Sequence, residues 1–277
     1  MTANTFGTLD ILMKHSKEDD LGRFLPEYLL VKSPHPETIS LKSLSFTMSW
    51  LSTIHPSWIA LVVKELPSKI QSQLLILLPD NVTHELLPLL PGISIATKRC
   101  SNFAAFYLLN MLSKKIRPFG IIEEIFLPAS VLNALLYYSG PVKMAVINCL
   151  GLYVIAKELK NIVDKVVIER VKSFLTTQEK LFLAYCQAHP MKYLETTNFL
   201  DSWNQNTTLR QFIHKQGLLF LAKALTKEDG SFLWYFLRRL DVNRGYIFEQ
   251  ALKEFYDHPH VDYFKSRLEQ CMQILVK

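Results

Sequence analysis

Two histidines and two aspartates lie within six residues near the end of the chain, in the run Asp257-His258-Pro259-His260-Val261-Asp262. Imidazole and carboxylate groups are ligands for zinc and related divalent metals, and alternate residues of a turn can point to one side. A coordination shell needs further donors from a second cluster, and the sequence offers none. We therefore interpret the run as a polar corner between two helices, and we expect neither a metal nor another cofactor.

The motifs that mark phosphate-binding loops, nucleophile elbows and zinc-protease helices are absent. The sequence contains no GxxxxGK[ST], GxGxxG, GxSxG or HExxH, so these chemistries have no support. We predict that the chain is not an enzyme and has no small-molecule substrate. The alternative is a helical enzyme or regulatory hydrolase with a site assembled from distant side chains. Its candidate residues are Glu65, His84, Glu123, Glu124, His189 and Asp201.

Basic and aromatic residues lie close together at two places, Lys114-Lys115-Ile116-Arg117 and Trp234 to Arg239. A nucleic-acid interface normally needs a continuous basic stripe and a recognisable reading element. The net charge of +6 is spread over 277 residues and supplies neither. We expect Trp234, Tyr235 and Phe236 to belong to a core, and we expect no nucleic-acid partner.

These side chains must be positioned by helices. Gly is scarce, with 9 residues against 13 Pro, about 3% of the chain where roughly 7% is usual. Leucines recur at three- and four-residue steps, and strand alternation is nearly absent. The fold class is therefore predicted as all-α, an armadillo-like array of short helices with prolines at the corners. We predict one amphipathic helix over 154–175 with Val163 on its apolar face, two helices that meet near Gly217, and Thr226 as the N-cap of the helix that follows.

Residues 126–156 form a long apolar stretch with Lys143 as its one charge. A membrane-spanning helix needs about 20 apolar residues, but Pro128, Lys143 and the corner Ser139-Gly140-Pro141 divide this stretch into shorter pieces. We favour two buried helices that meet at the corner. A membrane hairpin and an apolar surface for a partner protein are the alternatives.

Four cysteines, Cys100, Cys149, Cys186 and Cys271, are spaced too widely for a CxxC motif or a disulfide-rich scaffold. Reduced thiols in a cytosolic protein are the expected state. The first residues lack the basic and apolar regions of a secretory signal. We therefore expect a cytoplasmic protein.

Residues 54–79, IHPSWIALVVKELPSKIQSQLLILLP, carry a more specific pattern. They resemble the middle domain of FliG, the flagellar rotor switch protein, in which an acidic residue, His-Pro and Ile-Ala-Leu precede two later proline corners. His55-Pro56, Ile59-Ala60-Leu61, Leu66-Pro67 and Leu78-Pro79 match that pattern without a gap. Residues 207–276 resemble the carboxyl-terminal region of the same family in the order and spacing of their helices.

The departures from the family are informative. Flagellar members carry charged residues on the helix that corresponds to residues 207–214, where they receive torque from the stator, and this chain has lost most of that charge. The resemblance therefore implies a non-motile relative, and the SctK class of type III secretion adaptors is the related component. It implies a structural adaptor that links the inner-membrane ring to the cytosolic ring (SctQ/FliM-like) or stator (SctL-like) components. A homo-oligomeric ring of the chain itself is a further option, and localisation would be cytoplasmic and peripheral to the inner membrane.

The resemblance also suggests domains and a binding corner. The expected divisions are an N-terminal helical region over 1–48, FliG-middle-like armadillo helices over 49–175, and a FliG-C-like helical domain over 176–277. The family motif makes His55, Pro56, Trp58 and Ile59 the candidate partner-binding residues. An exposed Trp58 would be an interface anchor, and a Trp58 inside the core is the alternative. A helical-repeat scaffold unrelated to secretion would share the same fold.

Overall fold

The computed structural model describes residues 50–98, 100–195, 197–203 and 206–275, and this part of the chain is helical without a β-strand. The all-α prediction is therefore confirmed, while the region predicted over 1–48 lies outside the described residues. The helices are α1 (Pro56–Lys64), α2 (Ser68–Leu77), α3 (Asp80–Leu86), α4 (Asn102–Ile116), α5 (Ala134–Tyr137), α6 (Gly140–Leu159), α7 (Lys165–Phe174), α8 (Thr177–Ala188), α9 (Phe199–Ser202), α10 (Asn206–Leu225), α11 (Gly230–Arg238), α12 (Val242–Glu254) and α13 (Val261–Leu275). Single 3-10 turns cover Leu87–Leu89, Glu124–Phe126 and Val131–Asn133.

The chain divides into two compact units between Phe119 and Gly120. The predicted boundary at 175–176 lies inside the second unit, between α7 and α8. It is not a division of the fold, because α6 before it packs against α8, α10 and α13 after it.

Prolines begin the first three helices of the first unit, as the sequence predicted, whereas Ser101 caps α4. Pro56 is in the first turn of α1, and Pro67 and Pro79 are the N-cap residues of α2 and α3. A proline is well suited to these positions because its fixed φ fits the helix start and its missing N–H has no partner there. Helix α1 packs on α3 and α4, and α2 packs on α4.

Two helices of 20 residues, α6 and α10, form the centre of the second unit. Gly151 of α6 lies against Ile213 of α10, and Gly217 of α10 lies against Ile147 of α6. Because the two pairs run in opposite order along the chain, the helices are antiparallel. Helices α8 and α13 pack on α6, and α12 and α13 pack on α10.

The prediction that two helices meet near Gly217 is wrong, since α10 continues through this residue. The glycine permits close contact with α6 rather than a turn. The prediction of Thr226 as an N-cap is also wrong. The Thr226 hydroxyl donates towards the carbonyls of Phe255 and Tyr256, and Asp229 caps α11 by accepting from the backbone of Ser231.

The single helix predicted over 154–175 is interrupted between α6 and α7. Asp164 accepts from the backbone N–H of Val166 as the N-cap of α7. Because an N-cap residue has a non-helical backbone, one helix cannot continue through this position. Val163 of the intervening loop is 92% exposed, although the amphipathic pattern placed it on the buried face.

The corner predicted at Ser139-Gly140-Pro141 is confirmed, since Ser139 is the N-cap of α6. From Val146 onwards α6 is a core helix, as favoured above. The preceding piece differs from the prediction, because 3-10 turns and the four-residue α5 replace a buried helix. Across the described residues, the helices lack the combination of length and apolarity that a membrane crossing requires.

The four cysteines are free thiols, and three of them, Cys149, Cys186 and Cys271, are buried in the second unit. Burial and then the neighbouring Cys149 raise the pKa of the Cys186 thiol. A hydrogen bond with Cys149 and then burial raise the pKa of Cys271. Cys186 and Cys271 are therefore protonated core side chains with low reactivity.

Candidate interaction surface

The four residues predicted to bind a partner lie at the start of α1, and three of them are buried. Trp58 is 7% exposed, and Ile59 and Pro56 are also inside the first unit. His55 is half-buried, and its Nδ1 accepts from the backbone N–H of Ser57 at 3.3 Å as the N-cap of α1. For Trp58 the structure matches the core alternative, so this corner stabilises the first unit and offers little side-chain surface to a partner.

The histidines of the predicted polar corner face aromatic rings. The His260 ring stacks on Tyr193 with 3.7 Å between centroids, and His258 meets the Phe264 ring edge-on. Within the described ranges, groups of three or more His, Cys, Asp or Glu side chains close enough for a metal ion do not occur. The corner lies between α12 and α13, as the sequence predicted.

The six residues proposed for an enzyme site assembled from distant side chains are distributed over both units. Glu65 and His84 belong to the first unit, and the other four belong to the second. In the second unit Glu124 is paired with Arg239, and His189 stacks on Tyr185. Asp201 is exposed on α9.

The most distinctive surface of the second unit is an irregular segment ahead of α6, residues 120–137, which we name the strap. Three polar contacts fix it to α11. The backbone N–H of Ile122 donates to Ser231 Oγ at 3.2 Å, and the Tyr235 hydroxyl donates to the Ile122 carbonyl at 3.1 Å. Arg239 Nη2 donates to Glu124 Oε2 at 2.6 Å.

The three anchoring residues, two in α11 and the third its C-cap residue Arg239, are spaced four apart along the sequence, at 231, 235 and 239. Residues at this spacing share one face of a helix. Hydrogen bonds within the strap also stabilise its turns. Ser130 Oγ accepts from the backbone N–H of Leu132. The Asn133 side chain donates to the Pro128 carbonyl at 2.9 Å. The strap is thus held in one conformation without regular helix over most of its length.

Some apolar side chains of the strap lie in the core, and others lie at the surface. Leu132, Leu135 and Leu136 are buried and attach it to the second unit. Four other large side chains are mainly exposed, namely Ile125 (78%), Phe126 (58%), Val131 (64%) and Tyr137 (72%). Single exposed apolar residues are common on proteins, but several within one short, fixed segment are typical of a binding surface.

A charged cluster lies beside these exposed side chains. The Arg239 side chain is 7% exposed, and its Nη1 is buried without a hydrogen-bond partner among the described residues. The guanidinium carbon is 5.8 Å from the centroid of the Tyr137 ring. Desolvation, followed by the charge of Glu124 and a hydrogen bond with it, raises the pKa of the Tyr137 phenol.

Lys143 of α6 belongs to the same cluster. Its Nζ donates to the Tyr138 carbonyl at 2.5 Å, and the residue is buried. Burial first, and the positive charge of Arg239 second, lower the pKa of Lys143 to about 8, while Glu124 acts in the opposite direction. The cluster therefore holds two basic side chains and one carboxylate.

A separate pocket of about 190 Å³ is lined by residues of α6, α10, α12 and the segment before α9. Lys223 Nζ is 4.5 Å from the centroid of the Phe255 ring and 3.9 Å from Glu195 Oε1. Glu254 also lines the pocket. Because the Glu195 carboxylate and the Phe255 ring already face the Lys223 ammonium, this cation is not a site that calls for a further anionic ligand.

Sequence reasoning did not identify the strap as a site. An apolar surface for a partner was one alternative for 126–156, but Ile125 lies before that stretch and the core interpretation was favoured. The available signal was Pro118 and Pro128 around an apolar segment, which oppose a continuous helix. The spacing of Ser231, Tyr235 and Arg239 in the otherwise aromatic α11 was a second signal.

Comparison with known proteins yields no match among protein-family models, curated proteins or solved structures.

Proposed function

We propose that this chain is a non-enzymatic adaptor at the cytosolic base of a type III secretion system or a degenerate flagellar basal body. It would link the inner-membrane ring to the SctQ/FliM-like cytosolic ring or the SctL-like stator components. The protein would be cytoplasmic and attached peripherally to the inner membrane through these partners.

The resemblance of residues 54–79 to the FliG middle domain supports this proposal. The prolines that carry the resemblance, Pro56, Pro67 and Pro79, begin α1, α2 and α3. They therefore act as helix-start residues, as a family built from proline-separated helices requires.

The observation on which the adaptor role mainly depends is the exposed apolar part of the strap. Ile125, Phe126, Val131 and Tyr137 offer aromatic and branched side chains on a segment that is already fixed to α11. A fixed segment loses little conformational freedom on binding, so more of the contact energy remains for affinity. In a ring, many such contacts act together and convert weak binding into stable assembly.

Capture experiments with the purified chain test this function. Val131→Asp places a charge in the exposed apolar part of the strap, and Val163→Asp places the same charge at an exposed valine in the α6–α7 loop. Bait proteins would be the cytosolic part of the inner-membrane ring protein, the SctQ/FliM-like component and the SctL-like component. We expect at least one bait to retain the wild type and the Val163 variant, and to lose the Val131 variant.

Failure of all three baits to retain the wild type would contradict the secretion assignment. Equal retention of both variants would contradict the role of the strap. Circular dichroism and thermal unfolding of both variants provide the control for folding, since both substitutions lie at exposed positions.

A further inference from the structure

The charge cluster beside the strap has more cationic than anionic groups. Arg239 and Lys143 are buried, and Glu124 is the one carboxylate that the structure pairs with Arg239. Burial of an ionised group without full compensation is costly, and an unpaired buried donor is costlier when it is charged than when it is neutral. The arrangement is therefore deficient in one acceptor.

The missing acceptor can be assigned to the Arg239 guanidinium. Arg239 uses Nη2 for Glu124, whereas its Nη1 has no hydrogen-bond partner within the part of the chain that the structure describes. Arginine presents its donors as a planar fork that suits a carboxylate, so a second carboxylate at Nη1 would complete the set. Lys143 adds positive charge in the same neighbourhood and donates to one carbonyl, that of Tyr138.

This donor lies just beneath the exposed apolar surface. Tyr137 is among the exposed side chains of the strap, and its ring lies 5.8 Å from the Arg239 guanidinium carbon. The guanidinium is already shielded from water, so a binding segment that displaces the exposed Tyr137 ring would bring its acceptor to Nη1 in a dry environment. Exclusion of water strengthens an ion pair at an interface and makes a missing partner costly.

We propose that the strap binds an apolar segment of a partner protein that carries an Asp or Glu side chain, whose carboxylate accepts from Arg239 Nη1. This inference rests on the proposed function in one respect, namely that the strap binds a protein. Arg239 selects for the acid, and the four exposed side chains supply the apolar contact.

Selection of peptides from a random library displayed on phage tests this proposal with the full chain as bait. We expect the selected peptides to contain apolar residues together with an Asp or Glu, and to lose binding to the Val131→Asp variant. The tightest peptide is then synthesised with its acid intact and with the corresponding amide. The amide peptide should bind the wild type about tenfold more weakly or worse, a difference near 1.4 kcal/mol.

A double-mutant cycle assigns this difference to Arg239. In the variant Glu124→Gln/Arg239→Gln the pair is neutral, and we expect the acid and amide peptides to bind within about twofold of each other. In Glu124→Gln alone the guanidinium has lost its own carboxylate, and the preference for the acid peptide should increase. This second variant retains Arg239, so the proposal does not depend on the folding of the double variant.

Several results would overturn the inference. These are selection of no strap-dependent peptide, selection of peptides without an acid, and an acid preference that persists in the double variant. Displacement of the peptide by inorganic phosphate beyond the effect of sodium chloride at equal ionic strength would instead assign the donor to a free anion. If no secretion component binds the chain but acidic peptides are selected, the proposed function fails and this inference stands.

Discussion

Gly151 of α6 lies directly against the backbone of Ile213 in α10. A Cβ atom at position 151 would be 1.9 Å from the Ile213 carbonyl oxygen, far inside a van der Waals contact. The reverse relationship holds at Gly217, where a Cβ would be 1.8 Å from the Ile147 carbonyl oxygen. The central helix pair of the second unit therefore depends on two glycines, each placed opposite an isoleucine of the other helix.

Substitution of either glycine by alanine should destabilise the second unit. Gly151→Ala or Gly217→Ala forces backbone atoms apart, and overpacking of this kind costs about 1–3 kcal/mol, occasionally more. Gly140→Ala and Gly230→Ala are matched controls, because a Cβ at those positions meets nothing within 4 Å. Urea unfolding should show the loss for positions 151 and 217 and a change within about 1 kcal/mol for the controls. Wild-type stability of both core variants would refute the close packing.

Glu158 near the end of α6 should be important for the segment that leads into α9. Its buried carboxylate accepts from the Thr197 hydroxyl and from the backbone N–H groups of Phe199 and Leu200. Glu158→Gln replaces one acceptor oxygen by a donor, which leaves N–H groups facing N–H groups. We expect a loss of about 1–3 kcal/mol in the free energy of unfolding. The exposed Glu169→Gln is the control and should be neutral.

His214 should make the second unit sensitive to acid. Its Nδ1 lies 2.8 Å from Asn148 Oδ1, and Arg244 Nε donates to its Nε2 at 2.8 Å, so the ring is neutral and joins α6, α10 and α12. Burial first and Arg244 second lower its pKa below the usual 6.5, while Asp241 acts in the opposite direction. As the pH falls below 6.5 the unfolded chain takes up the proton first, so stability is lost.

The measurement is urea unfolding between about pH 7.5 and about pH 5. His214→Gln should lose less stability than the wild type over this interval. His189→Gln, at an exposed histidine of the same unit, should follow the wild type. An identical pH profile for the position 214 variant would show that this ring does not contribute.

Lys143 should make the second unit more stable as the pH rises in alkaline solution. Below its folded pKa of about 8 the ammonium is charged in both states, and the cost of burial is fully present. Between about 8 and the ordinary value of 10.5 the folded chain has released a proton that the unfolded chain still holds. Stability therefore rises with pH through this window. Lys143→Met should remove this part of the rise in urea unfolding, and an unchanged slope would contradict the prediction.

The sequence predicted those parts of the fold that local chemistry determines. Prolines at 56, 67 and 79 and the corner at Ser139 have fixed backbone preferences, so their positions as helix starts could be inferred without tertiary information. The burial of Trp234, Tyr235 and Phe236 was also predicted correctly, because a run of bulky aromatic side chains is stabilised by removal from water.

The errors arose where tertiary packing decides the outcome. Gly217 has the same low helix propensity whether a helix ends there or continues. Only the presence of Ile147 opposite it explains why α10 continues. Val163 follows the amphipathic pattern of α6, but Asp164 begins a new helix and leaves it exposed. The strap was missed for a related reason, since its conformation depends on contacts with Ser231, Tyr235 and Arg239 more than 100 residues away.

Hydrogen exchange in a complex with the captured secretion component tests the central claim most directly. The chain is exchanged alone and with the inner-membrane ring, SctQ/FliM-like or SctL-like protein that it binds, and protection is mapped along the sequence. We expect added protection to concentrate in residues 120–137, with residues 160–164 unchanged. Binding that protects a different region and leaves 120–137 unchanged would contradict the claim that the strap is the partner-binding surface.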